Sequence, residues 1–314
     1  MPAVPLTPAG VAGLIARAER GFEVAKRRRD GLDQPRKAAI DGVAHALSPT
    51  SMDRSLPARR LLFLDLDGPE PLAAVVLGDP DTASHLTWQV SGAGIRPGTA
   101  MWGTAREAGE LLLEQRRAGA ASPAVIAWLG YPAPGLLRAI SNRTARAAVE
   151  RLTHDIRRVA DLLPPGVHTG IEAHSYGATL AAHALARLAA DPVRPGHPPP
   201  RIQAFATTGS AGIPARLLTS PGGLGVPAGH CYEAVARADL LARSARLLSG
   251  RTTVAGLPFA VDGHPESGLH AVTGHNTSRY VPGAPHAGYG YRDPGTLSLH
   301  NLARILLGAP PDWT

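Results

Sequence analysis

From about residue 60 onward, short apolar runs alternate with longer segments whose apolar residues recur at helical spacing. Runs such as HLTWQV and AVIAWLG are too short for core helices and are typical of strands that are buried on both faces. Loops rich in Gly and Pro separate these runs from the helical segments that follow. The alternation predicts an α/β fold with a mostly parallel sheet covered by helices on both faces.

The same reading divides the chain into two parts. Residues 1–58 are helical and polar in pattern, with breaks near Pro35 and at 48–51, and are interpreted as an N-terminal helical extension. Residues 59–314 are interpreted as one α/β domain that starts with a hairpin, LLFLDL and LAAVVLGD around GPEP. Helices are predicted over 98–118 and 144–163, after SYG, and over TLSLHNLARILLG near the end.

The composition of the chain excludes or disfavours several classes of protein. No apolar run is long enough to span a membrane, and MPAVPLTPAG lacks a secretory leader, which predicts a cytoplasmic protein. The single Cys231 excludes an internal disulfide and a cysteine-based zinc site. The formal net charge is +7, but the basic residues are dispersed, so a nucleic-acid partner is disfavoured. We expect neither a cofactor nor a metal, and the oligomeric state is left open.

The stretch GIEAHSYGATLAAHAL, residues 170–185, contains the candidate nucleophile Ser175. It joins a predicted central strand to an apolar helix, and small residues, Ala173 and Gly177, stand two positions before and after the serine. A strained strand-to-helix turn that exposes a serine hydroxyl needs small residues there, because the two backbones come close together. The alternative interpretation is a serine that caps the helix.

A nucleophilic serine needs a base and an acid, which in such folds follow it in the order acid, then His. Asp239, just past the strand HCYEAVARA, is the preferred acid, and His286, in GAPHAGYGY, is the preferred base. The remaining candidates lie in the loops before the last helix. The rival bases are His264, His270 and His275, and the rival acids are Asp262 and Asp293.

Acyl transfer also needs backbone N–H groups that stabilise an oxyanion. One is expected from Tyr176, the residue after the nucleophile. The other is expected from the loop VSGAGI, which offers Gly92 and Ala93. Glycine in that loop lets the backbone approach a substrate closely.

These motifs, with WLGYPAPG, TTGSAGI and HAGYGYRDPGTLSLHNLARILLG in the same order, resemble the actinobacterial α/β-hydrolase family known as domain of unknown function 1023 (DUF1023) over residues 60–308. The resemblance implies an α/β-hydrolase fold and a triad of Ser175, Asp239 and His286. It also implies that Trp128, Tyr131 and His174 line the substrate site. The sequence departs from the family pattern at three places: Ala173 replaces a glycine, Glu172 replaces an apolar strand residue, and a short insertion follows His286.

Two other functions compete with this one. In FLDLDGPEP, Asp65 and Asp67 resemble the first motif of haloacid-dehalogenase-type phosphatases, but the required downstream lysine is missing because Lys26 and Lys37 are both upstream. A catalytically silent fold used for binding is the second alternative.

The sequence therefore predicts a serine hydrolase acting on a small-molecule carboxylic ester or thioester. The loop 250–285 is the candidate cover of the site, since the 211–229 connection is too short for a helical lid.

Overall fold

The computed structural model describes residues 10–48, 55–132, 142–191, 199–210, 212–219, 223–249, 256–281, 284–285 and 287–313. The strands in these ranges are β1 (Arg59–Asp65), β2 (Leu72–Leu77), β3 (His85–Val90), β4 (Pro123–Leu129), β5 (His168–His174), β6 (Ala204–Thr208), β7 (Cys231–Ala234), β8 (Leu257–Pro258), β9 (Asp262–His264) and β10 (Leu269–Ala271). The helices are α1 (Gly10–Arg27), α2 (Gln34–Leu47), α3 (Pro97–Arg117), α4 (Asn142–Ala160), α5 (Tyr176–Ala189), α6 (Ala215–Thr219), α7 (Leu240–Ser249) and α8 (Leu297–Leu306).

Eight strands form one sheet in the order β1-β2-β4-β3-β5-β6-β7-β8. β2 runs antiparallel to both β1 and β4, and the pairs from β4 across to β8 are parallel. The predicted hairpin is therefore the start of the sheet, and the predicted mostly parallel α/β architecture is confirmed. Parallel strands end at one edge of the sheet, so the loops after β3, β5, β6 and β7 lie near one another.

Helices cover both faces of the sheet. One face packs against α4 and α5, whose buried side chains include Leu152, Ile156 and Leu185. The other face packs against α2, α3 and α8, with Ile40, Met101 and Leu302 among the buried residues. The strands therefore lie between two apolar layers, which explains why their sequences read as continuous apolar runs.

The N-terminal helices pack on the rest of the chain. The Asp81 carboxylate accepts hydrogen bonds of 2.7 Å from the backbone N–H groups of both Val11 and Ala12, so a residue between β2 and β3 caps the start of α1. The predicted break near Pro35 is the boundary at which α2 begins, where Asp33 accepts from the Arg36 N–H. These helices belong to the same two apolar layers as the sheet.

Sequence analysis did not identify the helices α6 and α7 or the short strands β8, β9 and β10. Strands of two or three residues carry no measurable alternation of apolar and polar side chains, so periodicity does not reveal them. No helix within the described ranges has the length and apolar character needed to cross a bilayer.

α2 and α3 approach each other closely at two glycines. A Cβ on Gly42 would lie 2.2 Å from the Pro97 carbonyl oxygen, and a Cβ on Gly98 would lie 2.9 Å from the Ala38 Cβ. These distances are far below van der Waals contact, so any side chain at either position forces the helices apart. The position of α2 on the protein therefore depends on the absence of side chains here.

Gly42→Ala should lower the free energy of unfolding by about 1–3 kcal/mol, because the new methyl group overlaps the Pro97 carbonyl. Gly21→Ala is the matched control: a Cβ at Gly21 in α1 meets no atom within 4 Å. That substitution should stabilise the protein by about 0.5–1 kcal/mol through helix propensity. Urea unfolding of both variants measures the contrast, and equal effects of the two substitutions would contradict it.

Candidate active site

Ser175 lies on a strained turn between β5 and α5. Its backbone has φ 54° and ψ −125°, and its side chain makes no hydrogen bond to the helix that follows. A positive φ is uncommon for a residue with a side chain, and among the described residues only Trp313 shares it. The hydroxyl does not cap α5, and a strained backbone of this kind is typical of functional turns.

The small residues around this turn have almost no space beside them. A Cβ on Gly177 would lie 2.6 Å from the Ser91 carbonyl oxygen, and one on Gly92 would lie 3.0 Å from the Ser175 Cβ. A Cβ on Gly209, after β6, would lie 2.8 Å from the His174 ring. The ends of β3, β5 and β6 can therefore meet around Ser175 only because these residues are glycines.

The structure brings Ser175, His275 and Asp239 into one hydrogen-bonded line. The Ser175 Oγ lies 2.9 Å from the His275 Nε2. The His275 Nδ1 lies 2.9 Å from each carboxylate oxygen of Asp239. Ser175 follows β5, Asp239 lies between β7 and α7, and His275 belongs to the loop after β10, so three separate parts of the chain meet at one edge of the sheet.

The surroundings of Asp239 keep its carboxyl ionised. The side chain is fully buried, and burial alone would raise its pKa. Hydrogen bonds from His275, from the Ala242 N–H and from the Tyr291 hydroxyl outweigh burial and hold the Asp239 pKa below its usual value. An ionised carboxylate only accepts hydrogen bonds, so the His275 Nδ1 carries the proton and a neutral His275 ring presents Nε2 as an acceptor to the Ser175 hydroxyl.

Among the described residues, the imidazole beside Ser175 is that of His275, one of the rival bases. The preferred candidate His286 lies outside the described residues. The other rival histidines make different contacts: His264 bonds to Ser267, and His270 stacks on Tyr289. The rival acids Asp262 and Asp293 accept backbone N–H groups of Arg237 and Arg279, respectively.

Nothing in the sequence around His275 distinguished it from the rival histidines. Thr277 donates to Glu107 at 2.8 Å, and Ser278 donates to Asp293. These two hydroxyl groups anchor the loop that carries the histidine to α3 and to the segment before α8. Such anchors depend on partners 170 and 15 positions away in the chain, so they become visible only in three dimensions.

Two residues that the resemblance assigned to the substrate site are buried elsewhere. Trp128 is fully buried and its indole N–H donates to Asp155 at 2.9 Å. Tyr131 donates its hydroxyl to the carbonyl oxygens of Ser91 and Gly92, at 3.0 and 2.8 Å. Neither borders the cavity described below, whereas His174 does. Tyr131 instead fixes the Gly92–Ala93 loop beside Ser175.

A buried ionic cluster lies beneath the site. Arg292, which is 1% exposed, donates to Glu107 at 2.9 Å and to Glu172 at 2.6 Å. It thereby connects α3, β5 and the segment before α8. Glu172, the acidic residue at an apolar strand position, thus has a matching cation that the sequence pattern did not reveal.

This cluster holds two carboxyl groups and one guanidinium. Burial raises the pKa of Glu172, and the Arg292 charge opposes that rise only in part. Removing a cation from such a site leaves carboxyl groups in a medium that cannot solvate their charge. The cluster also contacts the site, because Glu107 accepts the hydroxyl of Thr277, two residues after His275.

Arg292→Met should lower the free energy of unfolding by about 3–5 kcal/mol, since it leaves Glu107 and Glu172 buried without a cation. Adding Glu107→Gln and Glu172→Gln to the same chain should restore a large part of that loss. Chemical unfolding of the single and triple variants tests this expectation. A single variant as stable as wild type, or a triple variant less stable than the single one, would contradict it.

His174 is a buried residue beside the line of Ser175, His275 and Asp239. Its ring centroid is 4.8 Å from that of His275, and its Nδ1 lies 3.2 Å from the Thr208 hydroxyl, which in turn donates to Glu172. Burial, and then the nearby His275 and Arg292, lower the His174 pKa well below its usual 6.5. His174 is therefore neutral in the folded protein at neutral pH.

The depressed His174 pKa should make the protein less stable in mild acid. Below about pH 6.5 the unfolded chain binds a proton on this ring that the folded protein does not, so the free energy of unfolding falls as pH falls. His174→Gln should reduce that slope by up to about 1.4 kcal/mol per pH unit. Unfolding measured between about pH 6.5 and 5 checks the slope, with His154→Gln, at an exposed position, as the matched histidine substitution. An unaltered slope in His174→Gln would contradict the prediction.

Ser175 and His275 open into a cavity of about 600 Å³. Of the loop predicted to cover the site, residues 275–278 and 280 line this cavity, whereas Phe259 is buried in the core. Other lining residues come from α2, α3 and the loop after β3: His45, Gly92, Ala93, Ile95, Thr99, Ala100, Trp102, Gly103, Thr104, Arg106 and Glu107. A cavity of this size suits a small organic molecule.

The DxD motif of the rival phosphatase function lies apart from this cavity, at the outer strand β1. Asp65 pairs with Arg151 of α4 at 2.7 Å and accepts the Asp67 N–H at 3.1 Å. Arg151 also pairs with Asp155, the acceptor of the Trp128 indole. These contacts are those of a turn and an ion pair that attach α4 to the sheet.

Three comparisons with known proteins give the family of the chain. No curated protein matched the chain. Similar solved structures include a dienelactone hydrolase from Anabaena variabilis ATCC 29413, with 16% identity, 65% of this chain and 86% of that chain covered, and a TM-score of 0.37. Acyl-protein thioesterase 2 from Zea mays has 12% identity, coverage of 67% and 92%, and a TM-score of 0.36. The esterase LipW from Mycobacterium marinum has 17% identity, coverage of 81% and 82%, and a TM-score of 0.35. A family described as alpha/beta hydrolase matches residues 67–249, more than half of the sequence, and the chain belongs to that family.

Proposed function

We propose that this α/β hydrolase is a serine hydrolase that cleaves a small-molecule carboxylic ester or thioester through an acyl-enzyme. The observation that carries the proposal is the hydrogen-bonded line from Ser175 through His275 to Asp239, with 2.9 Å at each step. A nucleophile, a base within its reach and an acid that orients the base are the elements of triad catalysis.

In the proposed reaction, the Ser175 Oγ attacks the acyl carbon while the His275 Nε2 takes its proton. Asp239 holds the ring in the required tautomer and stabilises the imidazolium that forms. The imidazolium then returns the proton to the departing alcohol or thiol, which leaves an acyl-Ser175 ester. Water then attacks this ester while His275 takes its proton. The imidazolium passes that proton to the departing Ser175 Oγ, which releases the acid and the free serine.

The negative charge on the carbonyl oxygen needs hydrogen-bond donors at each addition step. We assign this role to the backbone N–H groups of Tyr176, at the start of α5, and of Ala93 in the loop after β3. The close packing of Gly92 against Ser175 supports this placement, since it brings the loop beside the nucleophile. Tyr131 supports it too, because its hydroxyl holds the Gly92 carbonyl and so limits how the loop can turn.

We also propose that the chain belongs, within the α/β hydrolases, to the family that its motifs resemble, DUF1023. The segments that resemble DUF1023 contain the residues that build the site: AHSYGA carries Ser175, GHCYEAVARAD carries Asp239, and GYGYRDPG carries Tyr291 and Arg292. We infer that the tyrosine and arginine of the last segment are positioning residues, because one donates to Asp239 and the other holds Glu107 and Glu172.

Ser175→Ala and His275→Ala should each lower kcat/KM for p-nitrophenyl esters by at least about 10³-fold, since the first removes the nucleophile and the second its base. The kcat/KM of His286→Ala should stay within about two-fold of the wild-type value, because the proposal assigns the role of base to His275. Steady-state kinetics, with thermal unfolding to show that each variant is folded, provide the measurement. Labelling of wild type by a fluorophosphonate, and its loss in Ser175→Ala, identifies the nucleophile independently of the substrate.

Three outcomes would contradict the proposed roles of these residues. A folded Ser175→Ala variant with full esterase activity would exclude the proposed nucleophile. Loss of activity in His286→Ala together with an active His275→Ala would transfer the role of base to residue 286. Phosphatase activity that depends on Asp65 would replace the proposed function with its rival.

A further inference from the structure

Three aromatic rings from separate parts of the chain form a continuous row along the cavity. His45 of α2 stacks on Trp102 of α3, with ring centroids 5.5 Å apart and planes 12° from parallel. Tyr280, in the loop after β10, lies on Trp102 at 6.4 Å and 33°. All three residues border the cavity that contains Ser175 and His275. We name His45, Trp102 and Tyr280 the aromatic wall.

A cation of the cavity lining holds one ring of the aromatic wall in place. The Arg106 guanidinium lies 3.6 Å from the centroid of the Tyr280 ring, and it also pairs with Glu110 at 3.2 Å, one turn further along α3. Arg106 is only 7% exposed, so this cation is packed rather than free to move in solvent. A cation on one ring face and a tilted neighbouring ring, Trp102, together fix the orientation of Tyr280.

α2 carries its part of the wall at a fixed position. The contact of Gly42 with the Pro97 carbonyl and of Gly98 with Ala38 locks α2 against the start of α3, only a short distance along each helix from His45 and Trp102. A residue from the N-terminal helices is therefore one of the groups that shape the cavity.

We propose that the aromatic wall is a subsite for a flat aromatic or conjugated group of the ester or thioester substrate, and that α2 is thereby a functional part of the site. This inference rests on the proposed function, since the group is placed relative to the bond that Ser175 attacks. Fixed ring faces favour a planar partner, because stacking gains attraction over a whole face and the rings lose little freedom on binding.

An aliphatic chain is the main alternative occupant. Ala93, Ile95 and Ala100 give the cavity apolar surface that would accept such a chain without regard to its shape. The two occupants differ in one property: a planar ring gains from stacking, whereas a puckered ring of similar volume gains only from burial. A matched pair of ligands with these two rings therefore distinguishes them.

The experiment compares methyl 3-phenylpropanoate with methyl 3-cyclohexylpropanoate. Both are bound to the full-length Ser175→Ala variant, which prevents turnover, and the dissociation constants are measured by calorimetry. The phenyl ester should bind about 2- to 10-fold more tightly, the range expected for one aromatic pair. Adding Trp102→Leu should abolish that preference.

Two further variants sharpen the comparison. Trp313→Leu is the matched control, since Trp313 stacks on His264 and does not border the cavity, and it should leave the preference unchanged. His45→Ala, at an exposed position of α2, should reduce the preference by about two-fold, as expected when one ring of a stack is removed. This variant keeps the test available if the Trp102 variant does not fold.

Equal binding of the two esters, tighter binding of the cyclohexyl ester, or no binding of either would overturn the proposal. So would a phenyl preference that survives both Trp102→Leu and His45→Ala. Failure of the proposed function has a separate signature: wild type would not react with a fluorophosphonate, whereas the phenyl preference and its dependence on Trp102 would persist in the Ser175→Ala background.

Discussion

The buried guanidinium of Arg292 is the contact on which the geometry of the site depends. It spans Glu107 on α3 and Glu172 on β5, and it also reaches the Val90 carbonyl at the end of β3. Those three elements carry the cavity wall, the nucleophile turn and the Gly92 loop. Ionic contacts of this kind contribute little net stability compared with an apolar core, but they allow few alternative arrangements of their partners. One side chain thus links the three elements that carry the cavity wall, the nucleophile turn and the Gly92 loop.

The segment from Tyr289 to Thr296 supports the residues of the site through contacts that its sequence did not predict. Tyr291 donates to Asp239, Arg292 holds the ionic cluster, and Asp293 accepts the Ser278 hydroxyl and the N–H groups of Arg279 and Gly290. Consecutive residues therefore reach the acid, the strand below the nucleophile and the loop that presents the histidine. Sequence analysis considered this segment mainly as the neighbourhood of a catalytic histidine. Its described contacts are instead those of a scaffold around the groups that we propose to react.

Local features predicted most of the fold but only part of the site. The alternation of strands and helices, the turn at Ser175 and the position of Asp239 follow from patterns within short stretches, because a strand-to-helix turn and its steric limits are local. The identity of the histidine is not local. His275 and its rivals occupy similar Gly- and Pro-rich stretches of the sequence. His275 is distinguished by contacts with Ser175 and Asp239, 100 and 36 positions away in the chain. The placement of Trp128 away from the cavity was not visible locally either. Its indole N–H donates to Asp155, a partner that lies outside the motif WLGY.

The two edge strands of the sheet, β1 and β8, differ in length and in their contacts. β1 is paired along its length with β2, and its Arg60 side chain is bonded to Glu19 of α1. β8 consists of Leu257 and Pro258, and proline has no backbone N–H to offer a neighbouring strand. A border of two residues, one of them unable to donate, gives an incoming chain almost no backbone to pair with. At its β8 border, the sheet is thus protected from pairing with another copy of itself.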